Sequence, residues 1–538
     1  MGILSKLHPK DSHPADSSII GATAGSAAPA GRRNPWLRAR EGWKNNAMRP
    51  IIKAWLALAV LCLPVSADLF NHKIVLVGDK GAALGGAFAG LADDATATYY
   101  NPAGLTQIKN IKLNVSAQVV QYQKQKIRIA EGTDIPYNSF NFSPTITAFS
   151  QRMGKWAYGF SIVTPQNDLF TGEQKIEAAY GEPDEGTFCH ETPENPQPCF
   201  TKLNLSYYDV SKLTLIGPSG AMKFSDNISL GFTLYGIYYT ELEKTAYGGW
   251  DGNFVGGDPD DLSRFHESNV TRTVNQVGLG GTGSFGILVR MDQSFSFGVN
   301  ASPGSLVWIN RTEEQRVEDI RSDTTVQPGQ STYINSSAQI YNQTRKEKHT
   351  ETSAPSLSLA VSWKPVVPLT LTAQTDYYLG SIYSYTGFSP NDSISKGRSG
   401  FEVFEPLEQK YTIEKKSVVN FSGGLDWKIM KGYSVAVGGF TDYSQGPDDD
   451  RPASWDRNID YFGGSFSVGM DKDLTESRFG FSMAYGDASM THFQWTKTSG
   501  GQPALKSEVK DGKLVVARIR QNFSAYNFGV FLSSTLKI

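Results

Sequence analysis

The chain has 538 residues, with 51 Lys and Arg against 53 Asp and Glu, for a formal net charge of −2. That balance excludes a strongly basic nucleic-acid binder. A mean hydropathy of −0.32 excludes a bundle of membrane-spanning helices, each of which needs about 20 consecutive apolar residues. The 53 Gly and 63 aromatic residues (29 Phe, 24 Tyr, 10 Trp) suit an all-β protein with many turns.

Residues 1–47 are rich in Ser, Ala, Gly and Pro and hold little core-forming material. They read as an N-terminal extension, either a long leader or the product of an upstream start, with Met48 as the alternative first residue. Residues 48–67 have the layout of a secretory signal peptide. Arg49 and Lys53 are basic, Ala54 to Pro64 is an apolar run, and Val65-Ser66-Ala67 supplies a small-residue cleavage site before Asp68. The run is too short to cross a bilayer as a helix; a buried core helix is the alternative. Residues 1–67 carry 9 Lys and Arg and 3 Asp and Glu, so their removal leaves 42 basic and 50 acidic residues, a net charge of −8.

Residues 68–110 do not alternate. Gly81, Ala82, Ala83, Gly85, Gly86, Ala87, Ala89 and Gly90 precede Asp93-Asp94, then Tyr99-Tyr100-Asn101-Pro102-Ala103-Gly104-Leu105. The spacing predicts a short helix, a turn, a second short helix and a Pro-Gly break. Such a compact, small-residue segment fits inside a barrel lumen; a periplasmic linker is the alternative.

From residue 111 to 538 the chain alternates with period two. Val419, Phe421, Leu425 and Trp427 alternate with Asn420, Ser422, Gly424 and Asp426, and Phe479, Phe481, Met483 and Tyr485 repeat the pattern. Several such runs have 10 or more residues, the length a tilted membrane-spanning strand needs. Short turns, such as Arg152-Met153-Gly154 and Met430-Lys431-Gly432, alternate with long polar loops at 166–202, 243–269, 312–335, 381–409, 444–457 and 487–512. The pattern predicts an antiparallel transmembrane β-barrel of about 14 strands with a small helical segment in its lumen. Trp156, Trp308, Trp363 and Trp427 near strand ends fit interfacial girdles.

Cys189 and Cys199 enclose a Pro-rich loop, and in an oxidising compartment they are expected to pair. A metal site with His190 is the alternative, but it lacks further ligands nearby. Gly278 to Gly283 matches GxGxxG, yet Ser284 to Val289 continues as strand where a dinucleotide site needs a helix. Asp448-Asp449-Asp450 with Asp442 is weighed as a cation site against a solvated turn. No Ser–His constellation is evident. The chain is therefore read as no enzyme, with no metal and no cofactor.

The stretch Ala87 to Leu105, with Asn101-Pro102-Ala103 at its centre, resembles the N-terminal hatch of the FadL-type outer-membrane transporters, the long-chain fatty acid transport family. Ser161 to Thr171 is similar to the family's inward-kinked third strand, with Gln166-Asn167 where the family often has an aromatic–Gly pair. Phe285 to Pro303 and Asp442 to Pro452 are similar to later family segments. The resemblance implies a 14-stranded barrel plugged by a hatch at 68–110. It implies passive uptake of fatty acids or similar hydrophobic compounds across a bacterial outer membrane, with exit sideways into the bilayer. It assigns Asn101, Pro102, Ala103 and Gly104 to the hatch fold, Asp68, Leu69 and Phe70 to its mobile end, and Thr164 and Pro165 to the kink. The implied partners are the bilayer, lipopolysaccharide, a hydrophobic ligand and the barrel assembly machinery, with the chain a monomer that binds no nucleic acid. A structural or adhesive surface barrel, or a general porin, is the competing reading.

Overall fold

A computed structural model of the chain describes residues 71–109, 111–130, 133–180, 199–254, 262–324, 337–396, 403–446, 459–493, 495–497, 503–505, 507–510, 513–516 and 518–538. The strands are β1 Lys112–Ala130, β2 Thr133–Met153, β3 Trp156–Tyr180, β4 Cys199–Lys223, β5 Ile228–Phe254, β6 Leu262–Arg290, β7 Phe295–Ser302, β8 Ser305–Thr324, β9 Ser337–Thr352 and β10 Ser356–Val366. They continue as β11 Leu369–Tyr378, β12 Ser381–Lys396, β13 Val403–Lys415, β14 Val418–Met430, β15 Tyr433–Asp442, β16 Asp460–Asp471 and β17 Thr475–Phe493. Two short pairs follow, β18 Trp495–Lys497 with β19 Pro503–Leu505 and β20 Ser507–Lys510 with β21 Lys513–Val516. The last strand is β22 Arg518–Lys537.

Sixteen of these strand pieces form one antiparallel sheet, closed by β1 against β22 (Lys112 opposite Lys537) and by β5 against β6. Pro303-Gly304 separates β7 from β8, and residues 353–355 separate β9 from β10, so each pair is one wall strand with a break. Counted that way the wall has fourteen strands. Closure leaves the barrel without a free edge strand.

The alternation sorts side chains by face. In β16 Phe462, Phe466 and Val468 are exposed on the outside while Ser465 and Ser467 are buried toward the lumen. In β17 Phe479, Phe481 and Met483 point out while Arg478 and Ser482 point in. A soluble protein could not leave that many rings in water. With short turns at one end and long excursions at the other, this is the architecture of an outer-membrane β-barrel. Trp156, Trp363 and Trp427 lie exposed near the short-turn end, as an aromatic belt requires.

Several expected loops are partly strand. β3 continues to Tyr180, β5 to Phe254, β8 to Thr324 and β17 to Phe493, and β12 pairs with β13 as a separate hairpin. Once a strand leaves the apolar belt it no longer needs an apolar outer face, so its sequence reads like a polar loop. The GxGxxG segment lies inside β6, where a Cβ on Gly280 would meet the Leu306 carbonyl oxygen at 1.9 Å. Its glycines let β8 approach.

Candidate functional site

Residues 71–109 pack inside the wall. Helix α1 (Lys80–Ala83), helix α2 (Ala97–Tyr100) and a 3-10 turn (Pro102–Gln107) account for its regular structure, and nearly all its side chains are buried. The segment meets strands around the ring. Ser465 donates to the Ala83 carbonyl (3.0 Å), Ser296 to Gly90 (2.7 Å), and Thr233 and Tyr235 both to Thr98 (2.8 and 3.1 Å). The Gln374 amide oxygen accepts the Phe88 and Ala89 N–H groups at 3.1 and 3.0 Å. Small residues are required because backbones touch: a Cβ on Gly438 would sit 2.2 Å from the Gly85 nitrogen.

Asn101 caps the 3-10 turn by accepting the Ala103 N–H, and Pro102 follows at a helix start where no N–H is needed. The Asn101 amide nitrogen donates to Ala89 O (2.9 Å) and to Ile287 O (3.1 Å) on β6, tying the plug to itself and to the wall. Arg478 of β17 donates to Asp79 at 2.9 Å in a buried ion pair.

The first described residues form a tongue. The Asp442 carboxylate accepts the His72 and Lys73 N–H groups at 2.9 and 2.8 Å, and Asn71 donates to the Asp442 and Ile459 carbonyls. Asp442 is therefore committed to the plug backbone rather than placed as a cation ligand; residues 448–450 lie outside the described residues. Lys73 Nζ lies 2.6 Å from Asp376, and His72 stacks on Tyr378 with centroids 3.8 Å apart. Burial, with the Lys415 and Lys73 charges adding to it, pushes the His72 imidazole down to about 4, although its bond to Gln445 and the Asp376 charge pull the other way.

Between tongue and wall lies a cavity of about 260 Å³. Its lining is partly apolar and aromatic (Val75, Val77, Tyr99, Tyr100, Leu213, Leu215, Ile237) and partly polar (Lys73, Gln374, Asp376, Tyr378, Gln445). The cavity reaches Pro165 and Gln166 of β3.

There the wall is incomplete. β2 and β3 pair from Met153↔Trp156 to Ile146↔Val163, then again at Asn138↔Thr171 and Tyr137↔Gly172, with no pairing over 139–145 and 164–170. β3 stays attached to β4 throughout, apart from a register shift between Val163 and Gln166. Period-two burial breaks here too, since Val163 and Thr164 are both buried, as are Gln166 and Asn167. The flanking register places Pro144 opposite Pro165. Neither has an N–H to give to a ladder. Phe140 and Phe142 stand on the outer lip, 67% and 59% exposed.

No family model and no curated protein matches the chain. Among solved structures, it is similar to a FadL homologue of Pseudomonas aeruginosa (12% identity, 88% of this chain and 100% of that one, TM-score 0.49). It is also similar to the toluene transporters TbuX of Ralstonia pickettii (12%, 87% and 100%, TM-score 0.47) and TodX of P. putida (11%, 88% and 99%, TM-score 0.47). The chain resembles FadL-type transporters.

Of the residues singled out in the sequence, Asn101, Pro102, Ala103 and Gly104 lie in the plug against β5 and β6, and Thr164 and Pro165 lie at the break in the wall. Asp68, Leu69, Phe70 and Cys189 lie outside the described residues; Cys199 is the first residue of β4. Sequence reasoning missed Pro144, Lys73 and Asp376. Pro144 carried a signal, a proline inside an alternating run. Lys73 and Asp376 gave none, because only the fold brings them together.

Proposed function

We propose that this chain carries hydrophobic compounds, long-chain fatty acids among them, by passive diffusion across a bacterial outer membrane. The observation that carries the reading is the half-apolar cavity lying between a plug and a gap in the barrel wall. A ligand enters from the long-loop side, rests beside the plug and leaves sideways between β2 and β3, with residues 68–110 acting as the hatch. An apolar cavity of about 150 Å³ holds benzene. The larger volume here suits one or two rings or part of an acyl chain. The Asp376 carboxylate already neutralises Lys73, so a substrate head group meets a polar wall without a dedicated counter-charge from that lysine. A general porin needs an open aqueous lumen, and the packed segment 71–109 counts against it.

The test is uptake of radiolabelled oleate and toluene by cells with the intact protein, without it, and with residues 68–105 deleted. Uptake that depends on the protein, and is altered by the deletion, is expected. Equal uptake with and without the protein overturns the reading and leaves the structural or adhesive barrel in its place.

A further inference from the structure

The break between β2 and β3 is open in backbone pairing but not empty. Asn141 of β2 donates its side-chain amide to the Asn167 carbonyl of β3 at 2.9 Å, and the Asn167 amide approaches the Phe142 carbonyl at 3.5 Å. These two contacts cross the seam where the ladder does not. Both arise from side chains, which can rotate away while each strand keeps its other neighbour, β1 or β4. A ladder hydrogen bond has no such freedom, since breaking it moves a strand.

We propose that Asn141 and Asn167 are the gate of the lateral slot: a side-chain clasp that closes the gap left by Pro144 and Pro165 and opens by rotamer change. The inference rests on the transport reading for its role but not for its existence. The placement supports it. The clasp lies three residues along β2 from the facing prolines, inside the outer lip formed by Phe140 and Phe142, and Gln166, next to Asn167, borders the cavity. Gln166 is itself tied to Ser211 of β4 at 2.8 Å, so β3 is held on its far side while the near side is free to part. Amide side chains suit a gate at the rim of the lipid band. They carry no charge to desolvate, and a pair satisfied when closed can be satisfied by water or a ligand head group when open.

The experiment uses the full chain in three forms: wild type, Asn141→Ala, and a Cys189→Ser/Cys199→Ser background carrying Asn141→Cys and Asn167→Cys bridged by dibromobimane, which fluoresces on joining two thiols. Folding of each is checked by heat-modifiable gel mobility. The probe is N-phenyl-1-naphthylamine, a neutral aromatic amine, followed by its fluorescence gain in cells. Asn141→Ala is expected to raise protein-dependent uptake about 2- to 10-fold, the range one neutral hydrogen bond gives. The bridged form is expected to fall to the level of cells lacking the protein, and its unbridged form to match the background variant. Deuterium exchange of amides in 139–145 and 164–170 is read in parallel and is expected to quicken in Asn141→Ala by a similar factor. Unchanged exchange in that variant overturns the clasp whatever the uptake shows. Normal uptake through the bridged form, with wild-type uptake above background, overturns its role as gate and leaves transport standing. Absent wild-type uptake overturns the transport reading, and with it the gating role.

Discussion

Arg478 is a cation in the wall of a membrane barrel, and its charge is met by a plug carboxylate. It bonds Asp79 and also Ser467 at 3.1 Å, and both members of the pair are almost wholly buried. Removing one member of such a pair leaves the other charged and desolvated, at a cost of about 3–5 kcal/mol. Arg478→Met is therefore expected to loosen the plug and expose Lys80 to trypsin, and adding Asp79→Asn is expected to restore much of the resistance. Unaltered resistance in the single variant would show that the pair does not fasten the plug. His72 gives a pH dependence. Its docked value is depressed to about 4 from 6.5, so docked His72 binds fewer protons than released His72. The His72 contribution to docking is full above about pH 6.5 and is lost as pH falls toward 4. Hydrogen exchange of residues 71–77, corrected for intrinsic rate, should quicken on going to pH 4.5 several-fold more in wild type than in His72→Phe, which keeps a ring on Tyr378.

At the scale of elements, plug and wall fit through backbone contact. Gly438 of β15 and Gly85 of the plug approach so closely that any Cβ collides with main chain, which cannot rotate aside. Gly85 also has φ +64°, where a side chain is strained. Gly438→Val is expected to leave a folded barrel, with normal heat-modifiable mobility, but with the 71–109 segment cleaved far faster by protease than in wild type. The strands themselves were legible because lipid imposes period two on them. Where β3 and β5 run beyond the lipid the pattern fades, and those stretches read as loops. Asn101 was legible from its neighbours Pro102 and Ala103. Asn141 was not, since its partner Asn167 is 26 positions away and the two meet only after β2 and β3 are in register.

For the whole molecule, a membrane solvent explains most of what the sequence revealed and also what it hid. The apolar face of each strand must meet lipid, so the number of strands and the positions of the short turns follow from pattern alone. The lumen obeys no such rule. Its contacts join residues hundreds of positions apart, as Asn71 joins Ile459, and no local pattern announces them. Height along the axis adds one consequence. The belt of tryptophans near the short turns includes Trp156, and the unpaired stretch of β3 begins eight residues later, at Thr164. At about 3.3 Å per residue and a tilt near 40°, that is roughly 20 Å up a hydrophobic band about 25 Å tall. The slot therefore begins near the outer edge of that band and rises past it into the head-group zone of the distal leaflet. On the transport reading, cargo leaving through it is delivered to the outer face of the bilayer and crosses the inner leaflet by its own solubility in lipid.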